Sequence, residues 1–137
     1  MAKTTTTKVR AYIKGVDLAP RKVSIVASLV RNRTVADALV ILEHVPRRSA
    51  LPIKKAIESA KANATENHGL DGKTLTISTM SVTVGNRLKR FKPHMRGMAL
   101  PFQKKTSNIL VEVSGAPKAK KKPAADTAKA TEKKESK

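Results

Sequence analysis

Val9, Ala11 and Ile13 interleave with Arg10, Tyr12 and Lys14 near the start of the chain. This period of two predicts a strand with one buried face, ended by Gly15. After Pro20, which suits a first helical turn because its missing N–H costs nothing there, Val23, Val26, Ala27 and Val30 recur at helical spacing. A helix is predicted over 20–30. Thr34 followed three residues later by Asp37 resembles a capping box, and Ala38, Leu39, Ile41, Leu42 and Val45 supply the apolar stripe of a second helix that ends before Pro46. A third helix carries Ile53, Ile57, Ala60 and Ala64, with Pro52 in its opening turn and Asn67, Gly69, Asp71 and Gly72 marking its exit.

From Leu75 to Val84 the pattern is strand-like but changes phase, with apolar residues at Leu75 and Ile77 and then at Met80, Val82 and Val84. A bulge or twist is the expected cause. Ile109, Val111 and Val113 then alternate with Leu110 and Glu112. The two runs are predicted to pair, which makes the segment between them, about 85–108, a long hairpin rather than a simple turn. Residues 116–137 are mostly Ala, Lys, Thr and Glu, too poor in large apolar side chains to offset the entropy of ordering. They read as a disordered basic tail after one domain spanning 1–115.

Charge changes this picture most at the hairpin. The 24 residues from Gly85 to Asn108 hold seven Lys or Arg and no Asp or Glu. Without internal partners these cations call for an external polyanion, and a nucleic-acid backbone supplies the densest one. The whole chain of 137 residues carries 29 Lys plus Arg against 10 acids, a formal charge of +19, and most of the excess lies before residue 116. Aromatics are limited to Tyr12, Phe91 and Phe102. Phosphate contacts to a structured RNA or duplex are therefore favoured over single-strand binding on stacked rings. The absence of cysteine excludes disulfides, thiolate metal sites and a cysteine nucleophile. The N-terminal stretch has no apolar leader core, and no run approaches the ~18 apolar residues of a membrane span, so a cytoplasmic protein with no membrane partner is expected.

The run LKRFKPHMRGMALPFQKKTSNILVEV, from Leu88 to Val113, closely resembles the hairpin signature of the large-subunit ribosomal protein twenty-two family. Lys89, His94, Gly97 and Asn108 fit its spacing of a basic residue, a second basic residue, glycine and a polar residue opening an alternating strand, as do Ile109, Val111 and Val113. Met95 and Met98 depart from it, standing where a small and a basic residue are usual. The resemblance extends upstream through PRKVSIVASLVRNRTVADALVILEHVP and IKKAIESAKANATENHG, so that it covers about 9–113. Ala19 stands where a serine commonly precedes the proline, leaving Asp17 as a substitute cap for the first helix. The resemblance implies an α+β fold, three helices packed on a small antiparallel three-stranded sheet with a long basic hairpin extension. It also implies a non-catalytic constituent of the large ribosomal subunit that binds 23S-type rRNA, joins rRNA domains during assembly and lines the nascent-peptide exit tunnel with its hairpin. The implied partners are 23S rRNA, other large-subunit proteins and the nascent peptide, with no cofactor and no homo-oligomer.

On that reading Arg87, Lys89, Arg90, Lys92, Arg96, Lys104 and Lys105 contact rRNA phosphates, with His94 beside them and Arg90 and Arg96 as anchors because a guanidinium binds phosphate through two bonds. A merely solvated charge run is the alternative; the interleaved Leu88, Phe91, Leu100 and Phe102 argue against it. Pro93 and Pro101 flank Gly97, predicting a sharp tip over Pro93, His94, Met95, Arg96, Gly97 and Met98 and a ladder interrupted by the prolines. Met95 and Met98 are either tunnel lining or gap fillers against rRNA, and by position the resemblance puts them near the macrolide-binding region. On the body, Arg10, Arg21, Lys22, Arg47 and Arg48, together with Lys14, Arg31, Arg33, Lys54 and Lys55, form either a second RNA face or a solubilising surface. Asn63 and Asn67 are candidates for RNA sugar or phosphate, with helix termination the alternative for Asn67. His44, His68 and His94 are too far apart in sequence to suggest a metal or general-base site, and no phosphate loop or nucleophile elbow is present, so no enzyme is expected. Two other classes remain open from the residues alone. One is a DNA-architectural protein with an embracing basic arm, and the other a module for anionic membranes, which would need a basic helix with bulky interfacial aromatics.

Overall fold

A computed structural model describes residues 7–117 of the chain. Strand β1 spans Thr7–Val16, helices α1, α2 and α3 span Pro20–Val30, Val35–His44 and Ala50–Ala62, and strands β2 and β3 span Thr76–Pro93 and Ala99–Gly115. The sheet is antiparallel with β3 between β1 and β2. The α+β arrangement of three helices on a three-stranded sheet is as expected. Of the tail expected from residue 116 on, residues 118–137 lie outside the described residues, whereas Ala116 and Pro117 are held against the body: the Ala116 carbonyl accepts from the Asp71 N–H at 3.0 Å and Pro117 bridges Leu70.

The core follows from the alternation. Val9 faces Val113, Ala11 faces Val111 and Ile13 faces Ile109, while Ile77 and Val82 meet Val113 and Ile109 from the other side. This apolar face packs under Val23, Val26, Ala27 and Val30 of α1 and Ile53, Ala56, Ile57 and Ala60 of α3, all buried. The alanines on α3 let the helix approach the sheet closely. The change of phase in β2 is a bulge: Ile77 pairs with Val113 but Thr79 with Glu112, and the extra Ser78 donates its hydroxyl to the Glu112 carbonyl at 3.1 Å. Met80 is thereby returned to the buried face.

Local signals at the helix ends mostly act as their chemistry requires. Thr34 Oγ1 accepts from the Asp37 backbone N at 3.2 Å and donates to Asp37 Oδ2 at 2.7 Å, closing the short capping box through its hydroxyl. Pro52 lies in the first turn of α3. Two details differ from expectation. Gly15, at φ 69°, forms a bulge instead of ending β1, and Val16 resumes pairing with Ser107. Asp17 does not cap α1, whose N-cap Ala19 makes no side-chain hydrogen bond. Asp17 lies two residues before the cap position and instead binds Lys104 Nζ at 2.6 Å.

Candidate nucleic-acid interface

Beyond the core the sheet narrows to two strands. Pairing of β2 with β3 continues from Arg87–Lys105 to Pro93–Ala99, and every residue from Asn86 to Lys105 is exposed. The arm thus has no core of its own and projects from the body as a ribbon.

Its root is built from close backbone contact. The register shifts between Val84 and Arg87, and a Cβ on Gly85 would come within 2.5 Å of Thr106 Oγ1 and 3.2 Å of the Thr106 carbonyl carbon. Thr106 donates that hydroxyl to the Asn86 carbonyl at 2.7 Å, and Asn108 Oδ1 accepts from the Gly15 N–H at 3.0 Å. Bulges in β1 and in β2 therefore meet β3 within residues 106–108. Ion pairing between Lys104 and Asp17 adds a tie from the arm to the β1–α1 connection, weak because both side chains are half-exposed.

The prolines do not interrupt the ladder, contrary to the expectation from sequence. His94 N donates to the Met98 carbonyl at 2.8 Å, so this is a hydrogen-bonded pair. Alternation makes Pro93–Ala99 and Phe91–Pro101 non-hydrogen-bonded pairs, in which a backbone N–H would point away from the partner strand. Proline loses nothing there. The chain reverses over His94–Met98, where Arg96 (φ 57°) and Gly97 (φ 69°) adopt left-handed conformations and His94 Nδ1 accepts from Met95 N at 2.7 Å.

Register sorts the arm into two faces. Arg87, Lys89 and Lys105 lie on one face near the root, which becomes uncharged towards the tip through Phe91, Pro101 and Pro93. On the other face each cross-strand pair joins one cation to one apolar residue: Leu88 with Lys104, Arg90 with Phe102, Lys92 with Leu100. That face offers charge for phosphates and apolar surface for sugars or bases along its length. Leu88, Leu100 and Phe102 therefore belong to the candidate interface; in the sequence they only argued against a solvated charge run, because their place beside the cations depends on the register. Met95 and Met98 are exposed at the tip, beside Arg96.

The body candidates lie on several elements, and Arg48 borders the same hollow as Asp17, the ion-pair partner of Lys104 at the arm's root. Arg21 and Lys22 are exposed in the first turn of α1, and Arg47 and Arg48 are exposed in the turn between α2 and α3. Arg10, exposed on β1, comes within 3.9 Å of Glu112. Asn63 at the end of α3 donates to the Arg10 carbonyl at 3.4 Å, a structural use of its amide. Arg31 and Arg33 are also engaged, Arg31 with the Met80 carbonyl at 3.1 Å and Arg33 with the Leu29 carbonyl left open at the end of α1, at 2.9 Å. Lys54 binds Glu43 at 2.8 Å; that bond holds the Glu43 carboxyl below its usual range and raises the Lys54 ammonium. Among the described residues no group of His, Asp and Glu is disposed to hold a metal ion, and no helix is long and apolar enough to cross a membrane.

Residues 11–114 match the family model described as ribosomal protein L22p/L17e. The large ribosomal subunit protein uL22 of Lactobacillus helveticus is 43% identical over 105 residues, covering 77% of this chain and 90% of that protein. Its counterpart in Lacticaseibacillus casei is 44% identical over 108 residues, covering 79% and 92%. That of Mesoplasma florum is 41% identical over 105 residues, covering 77% and 94%.

Proposed function

The chain belongs to the ribosomal protein L22p/L17e family, and from that premise we propose that it is a non-catalytic constituent of the large ribosomal subunit whose arm binds 23S-type rRNA. The observation that carries this reading is the projecting ribbon, exposed throughout, whose segment holds seven cations and no acid. Arg87, Lys89, Arg90, Lys92, Arg96 and Lys105 neutralise phosphates, and each contact releases counterions to solution. Lys104 contributes less, since Asp17 shares its charge. Arg10, Arg21, Lys22, Arg47 and Arg48 give the body further contacts, so that arm and body engage separate rRNA segments and hold them together during assembly. The tip, Pro93–Met98, then lines the exit tunnel in the cytoplasmic ribosome, presenting Met95 and Met98 to the nascent peptide beside other large-subunit proteins. The soft, polarizable methionine side chains suit a wall that many sequences must pass.

Sedimentation of cell extracts tests the reading. The wild-type chain is expected in large-subunit particles. A chain with the arm cations changed to glutamine is expected to shift towards the top of the gradient. Incorporation at the wild-type level by that variant would refute the role assigned to the arm.

A further inference from the structure

The turn between α2 and α3 borders an open groove of about 450 Å³, within the size range of small-ligand sites. Leu42, Val45, Pro46 and Leu51 give it an apolar lining. A second hollow, lined by Val16, Leu18 and Pro52, adjoins it across Leu51 and Arg48, which border both. Leu51 lies between them, 65% exposed although it is a leucine in a regular helix.

The charge around this groove is unbalanced. The carboxylate that lines it, Glu43, is already paired with Lys54 at 2.8 Å, and Asp17 in the adjoining hollow is paired with Lys104 at 2.6 Å. Arg47 and Arg48 are exposed and make no ion pair among the described residues. Helix α3 begins at the same corner without a side-chain cap and with no acid in its first turn, so its positive end adds to the field of the two arginines. An apolar slot edged by free guanidinium groups complements a ligand with a flat apolar body joined to anions. An unstacked nucleotide has this composition, and aliphatic and guanidinium surfaces accept its base without sequence-specific hydrogen bonds.

Resting on the rRNA-binding reading above, we propose that this groove receives one unpaired, extruded nucleotide of the large-subunit rRNA, its base against Pro46 and Leu51 and its flanking phosphates on Arg47 and Arg48. The groove is then a second, base-holding contact that fixes the body's register on the RNA, while the arm supplies most of the electrostatic affinity.

Photocross-linking tests this with the full chain carrying Leu51→p-benzoylphenylalanine, an exposed position where the larger side chain fits without disturbing the core. The chain is bound to protein-free large-subunit rRNA and irradiated, and cross-links and footprints are mapped by primer extension. A cross-link concentrated on one unpaired nucleotide is expected. Adding Arg48→Ala should lower its yield about tenfold, the scale of a lost charge-assisted bond to phosphate, with the arm's footprint unchanged. An intact arm footprint without that cross-link, or with cross-links only to base-paired nucleotides, overturns the proposal alone. Loss of both signals overturns it together with the rRNA-binding reading. In assembled subunits, a cross-link to a neighbouring protein in place of RNA assigns the groove to a peptide and likewise overturns it.

Discussion

A methyl group at position 85 would be forced against Thr106 from two directions, hydroxyl and backbone. The space for Gly85 is set by the close approach of β2 to β3 at the arm's root, where the register shifts. Gly85→Ala is therefore expected to destabilise the fold by about 1–3 kcal/mol, the usual cost of overpacking, and Thr106→Ala in the same chain should restore part of the loss. Urea unfolding measures both; an unchanged midpoint for Gly85→Ala would contradict the geometry. Arg96 presents the opposite case, because its left-handed backbone stands in open, exposed surroundings. Arg96→Gly removes a strained conformation and should leave thermal stability equal or slightly higher. On the reading that Arg96 binds phosphate, the same change lowers the salt slope of RNA binding by about 0.7–0.9. A fall in stability with no change in slope would make Arg96 a structural residue.

At the scale of elements, the core lies in the body, and the proposed binding belongs mainly to the arm. Ile109 is wholly buried at the centre of the sheet, and Ile109→Ala should cost about 2–5 kcal/mol. Neutralising the arm cations, all of them exposed, should change the urea midpoint little. A large loss of stability from the arm variant would show that the ribbon supports the fold. The helices were legible in the sequence because their periodicity, Pro20, Pro52 and the Thr34–Asp37 pair act locally. The bulge at Ser78 was legible too, since it leaves a change of phase between Ile77 and Met80. Long-range effects were hidden. Gly15 reads as a stop until Val16 is seen to pair with Ser107, Asp17 reads as a cap until Lys104 is seen beside it, and the prolines read as breakers until alternation puts them at positions that need no N–H. For the candidate site, the cations were readable as a run. Their separation into a face that turns uncharged towards the tip and a face of paired cations and apolar residues depends on the shift between Val84 and Arg87.

For the whole molecule, a formal charge of +19 on 137 residues means that binding a polyanion both neutralises self-repulsion and releases counterions. On the rRNA-binding reading, most of that exchange falls to the arm and the register-setting contacts to the body. The direct measurement is binding to large-subunit rRNA across a salt series, against duplex DNA of equal length, for the wild-type chain and for one with Arg87, Lys89, Arg90, Lys92, Arg96 and Lys105 changed to glutamine. With the arm binding phosphates, rRNA should outcompete DNA at moderate salt and the variant should bind more weakly, its slope reduced by about four to five at roughly 0.7–0.9 per lost phosphate contact. An unchanged slope with DNA competing equally would mean that the arm is only a solvated charge run.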